Sequence, residues 1–153
     1  MANSISYHLA EFMKTNNQNS GAGNVNGAPL VWLRSEALFM LILSILLYAH
    51  SGASWWRFGL LFLTPDLAMA GYWLNGRIGA IAYNVVHSYV GPLALAVAAL
   101  VGVQLVDLNH TWLAYAFIWT AHIAFDRALG YGLKYPEGFE STHLGSLGKR
   151  VEA

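Results

Sequence analysis

The sequence predicts an all-α integral membrane protein: a four-helix antiparallel bundle with short loops and cytoplasmic termini. Three observations carry that expectation. Of the 153 residues, 56% are hydrophobic and only 10% are charged, whereas a soluble domain usually carries about 25% charged residues. No Asp, Glu, Lys or Arg occurs between Arg77 and Asp107, a stretch longer than the roughly 20 residues that a helix needs to cross a bilayer core. Lipid offers backbone groups no partners, so a segment of this kind must be helical.

Three other segments complete the set: Leu30–Ala49, Trp55–Trp73 and Thr111–Gly130. Polar joints at 50–53, 75–77 and 107–110 separate the helices, and connections so short make neighbours antiparallel. Trp55 and Trp56 at one end of the second segment, and Tyr72 and Trp73 at the other, have the pattern of interfacial aromatic belts. Trp32 and Trp112 repeat it. One side of the predicted bundle carries Lys14, Arg34, Arg77, Arg127, Lys134, Lys149 and Arg150, the other only Arg57. The positive-inside tendency therefore puts both termini in the cytoplasm.

The chain divides into an N-terminal segment (1–29), the four-helix region (30–130) and a C-terminal tail (131–153). Ile5, Leu9 and Phe12 recur at helical spacing, predicting a short amphipathic helix over 4–14 on the inner membrane surface. An Asn- and Gly-rich linker follows. Because the first apolar run begins only near residue 30, no cleavable signal peptide is expected. Residues 130–145 hold glycines and Pro136 that preclude a long helix. Their aromatics predict an ordered loop folded over the cytoplasmic mouth of the bundle.

Several functions are excluded by composition. Eight basic residues balance eight acidic ones, for a net charge of +0, so the basic field of a nucleic-acid binder is missing. With Cys at 0, thiolate metal sites, disulfides and cysteine nucleophiles are ruled out.

The chemistry lies in polar residues that the helices cannot avoid burying, since each costs roughly 2.5–3.5 kcal/mol on insertion scales. Asp66 follows Pro65 in the second segment, Asn84 and His87 lie on the third, and His122 and Asp126 on the fourth. Arg34 and Glu36 fall in the inner part of the first. At 1.5 Å per residue, Asp66, His87 and His122 lie about 10–13 Å deep, and Arg34, Glu36, Asn84 and Asp126 about 6–9 Å deep. The outer half offers little beyond Ser44, Thr64 and Gln104. A channel needs polar lining throughout, so a blind pocket open to the cytoplasm is expected instead. His122 and Asp126, four apart, share a helix face, as do Asn84 and His87, three apart. Nitrogen and oxygen ligands from His87, His122, Asp126 and Asp66 suit zinc, manganese or iron.

Structural alternatives stand beside each reading. His122 and Asp126 can form an i,i+4 hydrogen-bonded pair. Arg34, Glu36, Asp126 and Arg127 can neutralise one another near the inner interface. Asp66 can be protonated, or cap a helix restarted by Pro65.

Leu33-Arg34-Ser35-Glu36, Pro65-Asp66 with Gly71-Tyr72, and Tyr83-Asn84 with His87 together resemble a family of small four-span bacterial membrane proteins catalogued only as a domain of unknown function. The closing run from Ala121-His122 through Asp126-Arg127 and Gly130–Tyr135 to Thr142-His143-Leu144-Gly145 is its most specific part. The resemblance covers roughly residues 30–148. It implies a multi-pass protein of the bacterial inner membrane, and no activity.

Three functional classes remain open. In a metal-dependent enzyme on a lipid or isoprenoid phosphate, Glu36 would be the general base, with Arg34 or Arg127 holding the anionic head. In a haem protein, His87 and His122 would be the axial ligands. In a structural or accessory protein, the buried polar groups would specify helix packing, a homo-oligomer or a membrane partner protein.

Overall fold

The computed structural model describes residues 7–8, 25–106, 111–136 and 140–146. The expected amphipathic helix over 4–14 (residues 7–8 apart), the linker up to residue 24, the joint 107–110 and the tail from 147 lie outside them. Among the described residues the regular structure is helical except for one small hairpin near the C-terminus.

Helix α1 runs from Ala28 to His50. Pro29 stands in its first turn, where the missing N–H would have had no helical partner anyway. The expected second helix is split. Helix α2 covers Trp55–Phe62, and Thr64–Trp73 continues as a 3₁₀ helix. Pro65 explains the change, since in a continuous α-helix its ring would clash with the carbonyl of Leu61. That carbonyl instead accepts a hydrogen bond from the Thr64 hydroxyl at 2.7 Å. The N-cap of the 3₁₀ segment is Leu63, which makes no side-chain cap, and Asp66 lies in the first turn rather than at the cap.

The expected third helix is also two. Helix α3 spans Gly76–Val86, with the Asn75 side chain accepting the Ile78 N–H at its start (2.9 Å), and α4 spans Val90–Val106. Here the cause is Pro92, whose ring excludes a helical carbonyl at Ser88. Val86 loses its helical partner to the break, and its carbonyl takes the Trp119 indole N–H at 2.7 Å. Gly91 makes room for that indole: a Cβ there would meet the Trp119 ring at 2.5 Å.

Helix α5, Thr111–Leu129, is the centre of the fold and packs against α1, α2 and α4. Its buried positions include Ala114, Ala116, Ala121 and Ala124, small residues that let neighbouring backbones approach closely. Helix α3 packs instead on the 3₁₀ segment, where the Tyr72 ring lies against Gly79 at a distance only glycine permits. At one end of the bundle Tyr48 is fully buried, packs edge-on to Trp55 and Phe58, and donates to the Ser54 carbonyl at 2.6 Å.

At the other end Arg34 of α1 donates to the Ala128 and Leu129 carbonyls of α5, at 2.9 and 3.2 Å. The two helices are therefore antiparallel, and a guanidinium serves the carbonyls that every helix C-terminus leaves open. The chain beyond α5 folds back over this same end. It includes the hairpin β1 (Ser141–Thr142) and β2 (Gly145–Ser146), with Lys134 bridged to Thr142. The Val25 N–H reaches the His143 carbonyl at 3.0 Å. Two stretches, Ala28–His50 and Gly76–Gly102, are long and apolar enough to cross a membrane.

Candidate metal centre

Three separate segments each bring a ligand group to one point. Asp66 enters from the first turn of the 3₁₀ helix, and His87 from the residue that ends α3. His122 and Asp126 enter from one face of α5, a helical turn apart. Donor atoms of all four lie within 4.8 Å of one another. His87 Nε2 is 3.1 Å from His122 Nε2. Asp66 Oδ1 is 3.5 Å from each of those nitrogens, and Asp126 Oδ2 is 3.5 Å from His87 Nε2 and 3.9 Å from His122 Nε2. With metal–ligand bonds of about 2.0–2.2 Å, neighbouring vertices of a tetrahedral site stand roughly 3.3–3.6 Å apart. The spacing found here is close to that.

The surroundings orient these groups. His87 Nδ1 is 3.0 Å from the Tyr83 carbonyl, which can only accept, so Nδ1 carries the proton and Nε2 turns its lone pair to the centre. The Tyr83 ring stacks on the His87 ring at 3.6 Å, and its hydroxyl donates to Asp126 Oδ2 at 3.1 Å. Phe62 closes the side of His122 edge-on. His122 Nδ1 is buried with no hydrogen-bond partner among the described residues.

Exposure is uneven. The histidine side chains are 2–3% exposed and Asp126 15%, whereas Asp66 is 34% exposed. A cavity of about 260 Å³ lies on that side, lined by Asp66, Leu67, Met69, Ala70 and Trp73. A larger apolar cavity, about 490 Å³, is lined by Pro65, Val86, Ile118 and Trp119 among others. Pro65 and Val86 are the chain neighbours of Asp66 and His87, so the two cavities flank the centre. The pocket, expected to be open at this end, has over it the C-terminal strap, the ordered loop that the aromatics of residues 130–145 predict.

That strap supplies a residue that the spacing of the helices does not mark. The Asn84 side chain donates to the Lys134 carbonyl at 2.8 Å and accepts the Lys134 N–H at 2.6 Å. Lys134 is 3% exposed, with its ammonium 4.9 Å from the Tyr83 ring centroid. Burial pushes this ammonium below its usual pKa of 10.5, against the pull of Asp126 and Asp66. Further along the strap, His143 Nδ1 accepts the Leu133 N–H at 2.8 Å.

The other expected site residues lie elsewhere. Arg34 is spent on the C-terminus of α5. Glu36 and Arg127 share a small cleft with Tyr89 and His143 and do not line the His/Asp centre. The Arg127 guanidinium sits over the Tyr89 ring, 4.3 Å from its centroid. A haem between His87 and His122 does not fit: nitrogens 3.1 Å apart are already in contact and leave no space for a porphyrin between them.

Helical packing and this cluster define an all-α protein with a buried two-histidine, two-aspartate group able to hold a metal ion. The chain belongs to the family described as Domain of unknown function (DUF4260), which matches residues 30–147. No curated protein and no solved structure matches it.

Proposed function

We propose that this is a multi-pass protein of the bacterial inner membrane, and that it is a metal-dependent enzyme acting on a lipid or isoprenoid phosphate. One observation carries the reading: donor atoms from three segments converge within 4.8 Å, with the histidine pair buried. Two imidazoles and two carboxylates suit zinc, manganese or iron. A divalent ion bound there would supply a Lewis acid and make water a stronger acid. His87, His122 and Asp126 would hold it from the buried side, and Asp66, the more exposed carboxylate, would face the side from which water or substrate arrives.

Membrane placement rests on surface chemistry. Only 11% of the apolar window in α1, and 17% of that in Gly76–Gly102, is buried by the protein itself. Trp32, Phe39, Leu46, Val90 and Val97 remain exposed, and apolar area of this extent calls for lipid or a partner. Helix α2 has 8 residues and the 3₁₀ segment 10. Laid end to end they rise about 32 Å, near the roughly 30 Å of a bilayer core. Four spans with cytoplasmic termini follow from that length and from the distribution of Lys and Arg. Apolar cavities beside Asp66 and Pro65 fit a substrate that arrives sideways from the bilayer.

A second reading, a polar cluster that only fixes helix packing, is favoured by the contacts the four groups make with one another. Elemental analysis separates the two. Detergent-purified protein should carry one metal per chain, and His122→Ala and Asp126→Ala should each lose it while keeping the helical circular dichroism signal. Wild type prepared without chelators and lacking stoichiometric metal would sink the enzyme reading.

A further inference from the structure

We propose that the cleft shared by Glu36, Arg127, Tyr89 and His143 is a second site, which holds the phosphoethanolamine head of a membrane lipid; this rests on the membrane placement above and not on the metal. Separate elements build it. Glu36 comes from α1, Arg127 from α5, Tyr89 from the break between α3 and α4, and His143 from the turn between β1 and β2. All of them line one cavity of about 120 Å³.

Its donors are unspent. The Tyr89 hydroxyl is buried and meets no hydrogen-bond partner among the described residues, which is costly unless a ligand or water takes it up. The Arg127 guanidinium sits over the ring of that tyrosine, and none of its N–H groups reaches an acceptor among the described residues. His143 Nδ1 accepts the Leu133 N–H, so the ring proton is on Nε2 and makes a third donor. Donors grouped in this way suit an oxyanion, and a guanidinium suits phosphate above all.

Charge placement narrows the class. Glu36 lines the same cavity, yet no ion pair joins it to Arg127 among the described residues. A cation and an anion held apart in one cleft match a ligand that carries the opposite pair. A phosphate with an ammonium on a short linker is such a ligand. Depth agrees with that order: the Tyr89 hydroxyl is buried and Glu36 is exposed, which puts phosphate within and ammonium at the rim. At roughly 30 Å³ for each water-sized group, the cavity has room for about four, enough for a phosphate and not for a whole headgroup. A primary ammonium donates to Glu36, whereas a trimethylammonium has no N–H to give. Leu33 and Met40 form the apolar wall. They stand about two turns apart on α1, a track along which acyl chains can run.

The test is calorimetric titration of the full chain in maltoside detergent with dihexanoyl lipids. Phosphatidylethanolamine should bind at least about tenfold more tightly than phosphatidylcholine or phosphatidylglycerol, which lack the ammonium donors. Glycerophosphoethanolamine, the same head without chains, should bind more weakly. Equal binding of the two would overturn the lipid as occupant and leave a soluble head. Tyr89→Phe keeps the ring beneath Arg127 and should weaken binding about fivefold or more. Glu36→Gln, at an exposed position, should bring phosphatidylethanolamine down to the level of phosphatidylcholine. The proposal is overturned if the three lipids bind alike, or if both variants bind as wild type does. Recovery of the chain from the soluble fraction without detergent would instead remove the membrane placement beneath it.

Discussion

Trp119 donates its indole N–H to the Val86 carbonyl at 2.7 Å, and that contact spans the gap between α3 and α4 from which His87 reaches the centre. The gap exists because Pro92 bars a continuous helix. Its geometry is kept because a side chain of the central helix satisfies the carbonyl it frees. Position and chemistry are coupled: what breaks the helix also aims the ligand.

Gly91→Ala should therefore lower thermal stability by roughly 1–3 kcal/mol, because the new methyl meets the Trp119 ring. Gly59 lies within α2, where an added methyl would find nothing within 4 Å. Gly59→Ala should be neutral or stabilising by up to about 1 kcal/mol. Thermal melts in detergent, followed by the helical circular dichroism signal, compare the pair. Equal melts for both would refute the role given to Gly91.

Tyr83→Phe removes the hydroxyl that donates to Asp126 and keeps the ring that stacks on His87. Metal affinity should fall about 10–100-fold, as is usual when a group orienting a ligand is lost. Helicity should not change. Competition with a chelator dye gives the number, and unchanged affinity would mean that the Asp126 carboxylate needs no such support.

Asn84→Leu deprives the Lys134 peptide of both hydrogen bonds. Amide exchange in residues 133–135 should accelerate at least about tenfold, each lost bond being worth about 1 kcal/mol. The amides of α5 should be unaffected. Protection that survives the substitution would show that the strap is held chiefly by its hairpin.

Arg34→Met leaves the Ala128 and Leu129 carbonyls without their partner. The end of α5 should fray at a cost of about 0.5–2 kcal/mol, visible as faster exchange near residue 130, with metal content unaltered. Loss of the ion would return Arg34 to the centre.

Acid should loosen the strap. Burial holds the His143 ring below its ordinary pKa of 6.5, and its Nδ1 needs a free lone pair to accept the Leu133 N–H. The contribution of the neutral ring is full above the unfolded value and is lost as pH falls through it towards the lower folded one. Exchange at Leu133, corrected for its intrinsic pH dependence, should rise through that window in wild type. In His143→Gln it should not.

Much of this site is legible in residue order. The spacing of His122 and Asp126 sets both on one helical face, and burial cost alone marks Asp66 and His87. Segment ends can be placed to within a few residues. The two prolines differ in visibility. Pro65 stands beside a carboxylate and reads at once as an interruption, whereas Pro92 lies in an unbroken apolar run that hides the same steric rule. Lys134 cannot be found by helix periodicity. It lies on irregular chain, and its burial depends on an amide fifty residues away in sequence. Arg34 shows a different limit, since depth in a helix does not tell whether a guanidinium faces a ligand or a neighbour's last carbonyls.

The order of the ligands along the chain has a consequence for biogenesis. On the membrane reading proposed above, Asp66 and His87 would leave the ribosome and enter the bilayer before His122 and Asp126 have been made, with the strap later still. Until α5 slots into place, an incoming ion would find half a cage. For the metal centre proposed above, loading would wait on the packing of α5, and a chelator present during synthesis should do damage that the same chelator added to the finished protein does not.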